Sequence, residues 1–382
     1  MRLLLAFVDR FLGKFIAGNH LDRNWQYLKL TSMSIEKNLL HSIAGHFAKS
    51  INSITPLGNG LINDTFLVTS TESRQTESRQ FVLQRINRQV FPEPELITAN
   101  LLTLNQHIRQ QTDVHLQMPA ILCTATGLAN FQDELGNSWR AQSFIAGTKS
   151  LESLRSLDDA AQTGYALGHF HRLTSSLKPN KLHDTLPGFH ITPDYLRNYH
   201  AVAQQTQRFD PFCADFIREF EHPDILESAK QQKHLQVRVI HGDPKLNNFL
   251  FAQDGKIISL IDLDTVKPGL VHYDIGDCLR SCCHDAATNT FNLDKGAAIL
   301  KSYLDEAAAF FSGEDYDYLF PAIQLLPFEL GLRFYTDYLQ GDRYFKITGP
   351  GQNLQRAKAQ FQLCASVMAQ KAEIEALIRR VK

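Results

Sequence analysis

No stretch of this sequence approaches the roughly 20 apolar residues needed to cross a bilayer. The opening apolar run, residues 3–8, is short for a secretory signal and no small-residue cleavage site follows it, so it reads as a docking helix. There is no excess of charge of one sign: 39 Lys and Arg face 40 Asp and Glu, for a formal net charge of −1. That balance gives no electrostatic reason to expect a surface that coats nucleic acid, although a local basic pocket for a phosphate remains compatible with it. The six cysteines form no paired C-x-x-C framework, so they read as reduced, mostly buried thiols. A reducing cytoplasm suits that usage. No internal repeat, long low-complexity tract or complete Walker phosphate loop is found. Neither a membrane, a nucleic acid nor a protein partner is therefore expected.

What is present is length and apolar material. With 382 residues, 43% of them in the apolar set, the chain can build one large domain or two lobes. Ser34 can cap a helix that starts just after Met33. Residues 1–33 then read as an N-terminal extension, either an appendage or the result of an early start codon. Residues 35–48 have the apolar spacing of a helix. The turn Gly58-Asn59-Gly60 leads into a strand over 65–69, and 81–86 reads as its hairpin partner across a polar connection. Further strand-like pieces lie at 119–123 and 139–145. Helices are expected at 94–109, 160–173, 212–221, 295–311, 321–340 and 353–380. The pattern divides into a small sheet-rich lobe over 34–147 and a larger, mainly helical lobe over 148–382, an α+β bilobal arrangement.

The densest polar constellation is the run from His241 and Gly242 through Asp243 to Asn248, set between two apolar segments. The next apolar segment, 257–261, ends at Asp262-Leu263-Asp264. Short strands on either side would bring Asp243, Asn248 and Asp262 to neighbouring strand ends. An Asn oxygen and a carboxylate can hold Mg2+ together with phosphate oxygens, while a separate carboxylate can orient a hydroxyl and take its proton. Asp243 is the candidate base, and Asn248 and Asp262 are the candidate metal ligands. The competing reading is of loop side chains that cap backbone donors.

His241-Gly242-Asp243, followed by Asn248 and then Ile261-Asp262, resembles the core of the aminoglycoside phosphotransferase and choline kinase superfamily. The resemblance spans about residues 34–370 and implies a protein-kinase-like bilobal fold. It implies ATP as phosphate donor, Asp243 as catalytic base, Asn248 and Asp262 at Mg2+, and His241 as a support of the catalytic loop. Longer stretches, 60–66, 81–87, 261–266, 268–270, 273–277 and 332–339, are similar to the N-acetylhexosamine 1-kinase branch. That branch implies phosphorylation of the anomeric hydroxyl of N-acetylglucosamine or N-acetylgalactosamine. The competing functions are a kinase for another small alcohol, such as choline, an aminoglycoside or a different sugar, and an ATP-binding regulatory pseudokinase without turnover.

Several other positions attach to this reading. The second strand carries Gln84-Arg85 where many kinases present a phosphate-binding lysine; strict alternation sends the two side chains to opposite faces. Arg85, with Gly58, Gly60 and Asn63, is a candidate nucleotide contact; the alternative for the glycines is a plain tight turn. Asp274 can cap a helix or hold the catalytic loop. Asp264 can approach substrate or metal. Arg333 and Asp337, four apart on a helix, can form an ion pair or face the acceptor, and Trp139, Tyr335 or Tyr338 can cover a sugar face. His169 and His171 read as structural.

Overall fold

The computed structural model describes residues 38–58, 62–71 and 78–382. The N-terminal extension, the expected docking helix and Gly60 lie outside the described residues. After a helical segment at residues 38–45 comes an antiparallel sheet of β1 (Ile51–Pro56), β2 (Asp64–Thr71), β3 (Ser78–Ile86), β4 (Ile121–Leu122), β5 (Phe131–Gln132) and β6 (Ser138–Ser143). The strand order is β1-β2-β3-β6-β4, with β5 also on β6.

Alternation along β3 and β6 sorts the two faces of this sheet. Phe81 and Leu83 of β3 and Trp139 and Ala141 of β6 pack with Val68 and Ile43 into a separate small core. Gln84 and Arg140, which face each other across the β3–β6 register, occupy the opposite face. Trp139 is therefore lobe packing: it is buried, and its indole N–H donates to Asp133 Oδ2 at 2.9 Å.

The chain leaves the small sheet after Ser143, and β7 (Thr148–Lys149) pairs instead with β9 (Phe249–Ala252), which in turn pairs with β10 (Ile257–Leu260). A second ladder joins β8 (Arg238–Ile240) to β11 (Lys267–Gly269). These short strands carry the loops of the polar constellation and rest on a large helical core that includes Phe170, Ile240, Phe249, Leu260, Leu279, Phe328 and Phe361. The helix Pro94–Ile108, although it lies between small-sheet strands in sequence, buries Ile97, Leu101 and Leu104 in this large core. The whole is an α+β bilobal fold with protein-kinase-like topology.

Among the helices of the large lobe, four position the site: Leu157–Thr174, Val271–Cys282, Leu293–Ala307 and Leu319–Leu339. The first starts cleanly because Ser156 accepts from the Asp159 N–H and two acidic residues occupy its first turn. It lies directly on Leu293–Ala307, where a Cβ at Gly164 would overlap the Ile299 carbonyl. The expected helix over 353–380 is two helices, Gln352–Ala369 and Lys371–Val381, because Gln370 leaves helical geometry at φ −100° and ψ 18°. Strand β1 and the helices Thr192–Ala203 and Ile225–Gln231 were not foreseen. Their apolar positions are sparse: Thr192–Ala203 buries only Thr192 and Tyr199. Among the described residues no helix is long and apolar enough to cross a membrane. All six cysteines are free thiols; five are buried and Cys123 is exposed.

Candidate active site

The loop after β8 is held by its backbone. Asp274, buried in the first turn of helix Val271–Cys282, accepts from the His241 N–H at 2.6 Å and the Gly242 N–H at 2.9 Å. The same carboxylate accepts from His171 Nε2 at 2.9 Å, and His171 Nδ1 meets the Tyr303 hydroxyl at 2.8 Å. His241 meets the Ile261 carbonyl through Nε2 at 3.0 Å and receives the Asp243 N–H on Nδ1 at 3.3 Å. Since a carbonyl only accepts, these contacts specify the neutral Nε2–H tautomer of His241. Gly242 takes φ +87°, and a Cβ there would stand 2.5 Å from the Thr265 carbonyl oxygen. Only glycine fits that place.

The three residues singled out for chemistry come together. Asn248 Nδ2 donates to the Asp243 carbonyl at 2.7 Å, which leaves its Oδ1 as an oxygen donor for a cation. Lys245, unremarked in the sequence, places its ammonium 2.5 Å from Asp243 Oδ2 and 3.8 Å from Asp262 Oδ2. Asp262 sits in the left-handed region at φ 61°, where a non-glycine residue costs about 1–2 kcal/mol; such strain gathers at functional positions. The side chains of Asp243, Lys245 and Asp262 remain 28%, 39% and 42% exposed, so a ligand can reach them. Burial pushes the Asp243 carboxyl up; Lys245 opposes this, the Asp277 and Asp262 carboxylates add to it, and the net is a raised pKa. For Lys245, burial is outweighed by Asp243 and Asp262, which keep the ammonium protonated. Asp277 is buried and bonded to Arg280 Nε through Oδ1 at 2.8 Å.

The small lobe differs from expectation. Arg85 is paired with Asp64, Nε to Oδ2 at 2.9 Å, on the sheet face that carries Leu83 and Trp139. The cation on the opposite face is Arg140, which sequence reading passed over because its partners lie far along the chain. Its guanidinium bonds Gln84 Oε1 through Nε at 3.0 Å and Nη2 at 2.7 Å, and forms a buried ion pair with Asp264. Asn63 donates to the other Asp264 oxygen at 2.8 Å and accepts from the Asn87 N–H at 3.0 Å. Asp264 thus ties the two lobes together. Gly58 takes φ +70° with open space around it.

On the other side, Arg333 and Asp337 do not pair with each other. Asp337 turns both oxygens to the following loop, accepting from the N–H groups of Arg343, Tyr344 and Phe345 at 2.8–3.0 Å and from Asn353 Nδ2 at 2.9 Å. The loop so held brings Phe345 against Arg333, whose guanidinium also lies 5.0 Å from the Phe189 ring and 5.1 Å from Tyr195. Among the described residues, no carboxylate forms an ion pair with Arg333. Burial lowers its affinity for its proton, but Tyr195, Glu329, Tyr344 and Asp243 act the other way and prevail. Tyr335 is buried with its hydroxyl on the Asp210 backbone, and Tyr338 stacks on it under Arg208. The aromatic surface near Arg333 is instead Phe189, Tyr195 and Phe345.

Residues 53–310, well over half of the chain, match the phosphotransferase enzyme family. The chain belongs to that family. Members transfer a phosphoryl group from a nucleoside triphosphate to a hydroxyl of a small molecule. Solved structures of similar fold include a microcompartment-associated aminopropanol kinase, at 15% identity and a TM-score of 0.60, covering 90% of this chain and 98% of that one. A choline kinase from Cryptosporidium parvum Iowa II is similar at 13% identity and a TM-score of 0.59, covering 90% and 97%. An aminoglycoside phosphotransferase from Alicyclobacillus acidocaldarius is similar at 15% identity and a TM-score of 0.56, covering 88% and 95%. At these identities the likeness is one of fold.

Proposed function

We propose that this phosphotransferase moves the terminal phosphate of ATP to the anomeric hydroxyl of an N-acetylhexosamine, N-acetylglucosamine or N-acetylgalactosamine, to give the 1-phosphate. The observation that carries the acceptor class is Arg333, a cation with no carboxylate pair among the described residues, set among Phe189, Tyr195 and Phe345 and within the electrostatic reach of Asp243. A fixed cation on the acceptor side opposes a quaternary ammonium or a polyamine. It favours an acceptor with neutral oxygens, such as a sugar hydroxyl or an acetamido carbonyl. Aromatic rings beside it suit the apolar face of a hexose.

Asp243 receives the proton of the attacking hydroxyl as the new O–P bond forms and the bond to the ADP oxygen breaks. Lys245, held protonated between Asp243 and Asp262, meets the negative charge of the phosphoryl group in transit. Asn248 Oδ1 and the half-exposed Asp262 fit Mg2+, which takes one or two protein oxygens and completes its shell with phosphates and water; that ion would neutralise donor charge. His241 and Asp274 hold the loop, and Asp337 acts on the acceptor side through the loop that bears Phe345.

An acceptor panel with magnesium-ATP tests this reading, with the phosphorylated position assigned by phosphorus and proton NMR. N-acetylhexosamine 1-phosphate is the expected product. Efficient transfer to choline or an aminoglycoside, with none to N-acetylhexosamines, sinks the acceptor assignment. Binding of magnesium-ATP without transfer to any member of the panel favours a pseudokinase.

A further inference from the structure

Strand β3 offers no lysine to the nucleotide, and Gln84 is neutral. Gln84 does something else: its Oε1 receives two N–H groups of Arg140, while its Nε2 donates to Thr65 Oγ1 at 3.2 Å. The guanidinium is thereby clamped in one plane, with Asp264 closing the other side of Nη2. Asp264 lies two residues after Asp262, and Asn63 holds its other oxygen. Arg140 thus stands where Gln84 of the sheet, Asn63 and the segment after Asp262 converge. It is 1% exposed, and its remaining nitrogen, Nη1, is buried with no hydrogen-bond partner among the described residues. A buried, charged donor left unpaired is costly, and the other two nitrogens of this group are fully used.

We propose that Arg140 is the nucleotide-phosphate residue of this protein, with Nη1 donating to a non-transferred phosphate oxygen, and with Gln84 and Asp264 as the positioning residues that aim it. The assignment rests on the kinase reading above. It differs from a lysine in kind: Asp264 already balances the charge of Arg140, so the contribution is a directed donor in a dry setting rather than a free positive charge.

The test is the ratio of ADP to adenosine affinity, measured by calorimetric titration of the full chain in magnesium buffer. Wild-type protein should bind ADP more tightly than adenosine. Arg140→Met should weaken ADP about ten- to a hundredfold, the scale of one hydrogen bond to a charged group, and leave adenosine within about twofold. Gln84→Glu keeps the size and the bonds to Arg140 but adds a negative charge, so it should weaken ADP selectively as well; it serves if Arg140→Met does not fold. An unchanged ADP-to-adenosine ratio in Gln84→Glu, or in a folded Arg140→Met, overturns the assignment and leaves the kinase reading standing. Wild-type protein that does not prefer ADP to adenosine overturns both.

Discussion

The two walls of the cleft treat their polar side chains in opposite ways. On the large-lobe wall, Asp243, Lys245 and Asp262 are more than a quarter exposed, with the Lys245 ammonium between the two carboxylates. On the wall where the lobes meet, Arg140 and Asp264 are 1% and 3% exposed and cross-linked to Gln84 and Asn63. The first group can exchange its partners for a ligand at little cost, since water already reaches it. The second has lost its water, so its hydrogen bonds decide the relative placement of the lobes. Exposed charge exchanges partners readily, whereas buried charge is held in one geometry by the partners it has.

The strongest challenge to this comparison is Asp243→Asn. Turnover should fall by about 10²–10⁴, the usual contribution of a general base, while ADP binding, measured by titration, changes only a few fold. Near-normal turnover would remove Asp243 from the chemistry. Next in size is Gly242→Ala, which tests whether the exposed wall depends on a rigid frame. Left-handed backbone and the overlap with Thr265 should cost about 2 kcal/mol or more in a denaturant titration. A stability equal to wild type would show that the loop can move aside.

Arg333→Met separates the acceptor side from the donor side. It should lower kcat/KM for the acceptor by about ten- to a hundredfold and leave the KM for ATP nearly unchanged. An equal loss for both substrates would mean a structural effect. The smallest effect concerns His190, which is buried between Glu329, at 2.9 Å from Nδ1, and the Gly242 carbonyl, at 2.7 Å from Nε2. The carbonyl only accepts, so Nε2 carries a proton, and a carboxylate at Nδ1 favours the imidazolium form. Burial pushes its pKa down, but Glu329, Asp277 and the Gly242 carbonyl together act the other way and the net is upward. A raised folded pKa means that its stabilisation is complete below about pH 6.5, the unfolded value, and is lost as pH rises through the folded value. Denaturant midpoints should therefore fall over that window in wild type and more gently in Glu329→Gln. Parallel pH profiles would remove the pair from the stability of the loop.

Much of the exposed wall was legible because its parts are close in the chain. Asp243 and Asn248 share one loop, and Asp262 ends the next hairpin, so short-strand geometry alone brings them together. Alternation also separated Gln84 from Arg85 correctly, but it could not say which face was the core; the structure puts Arg85 on the face of Leu83 and Trp139, and Arg140 beside Gln84 on the other. The i, i+4 spacing of Arg333 and Asp337 was compatible with an ion pair; four donors from residues 343–353 claimed Asp337 instead. Trp139 and Tyr335 looked like sugar platforms only because burial cannot be read from residue type.

The α+β plan and the local cluster of candidate base and metal ligands were readable in the sequence, since the elements follow from periodicity and the cluster spans about 20 residues. Only the tertiary structure decided the long-range polar ties: Arg140 to Asp264 across 124 positions, Asn63 to Asp264 across 201, and His190 to Glu329 across 139. Such pairs leave no periodic trace, because a buried polar group is tolerated wherever folding brings it a partner, however distant in the chain.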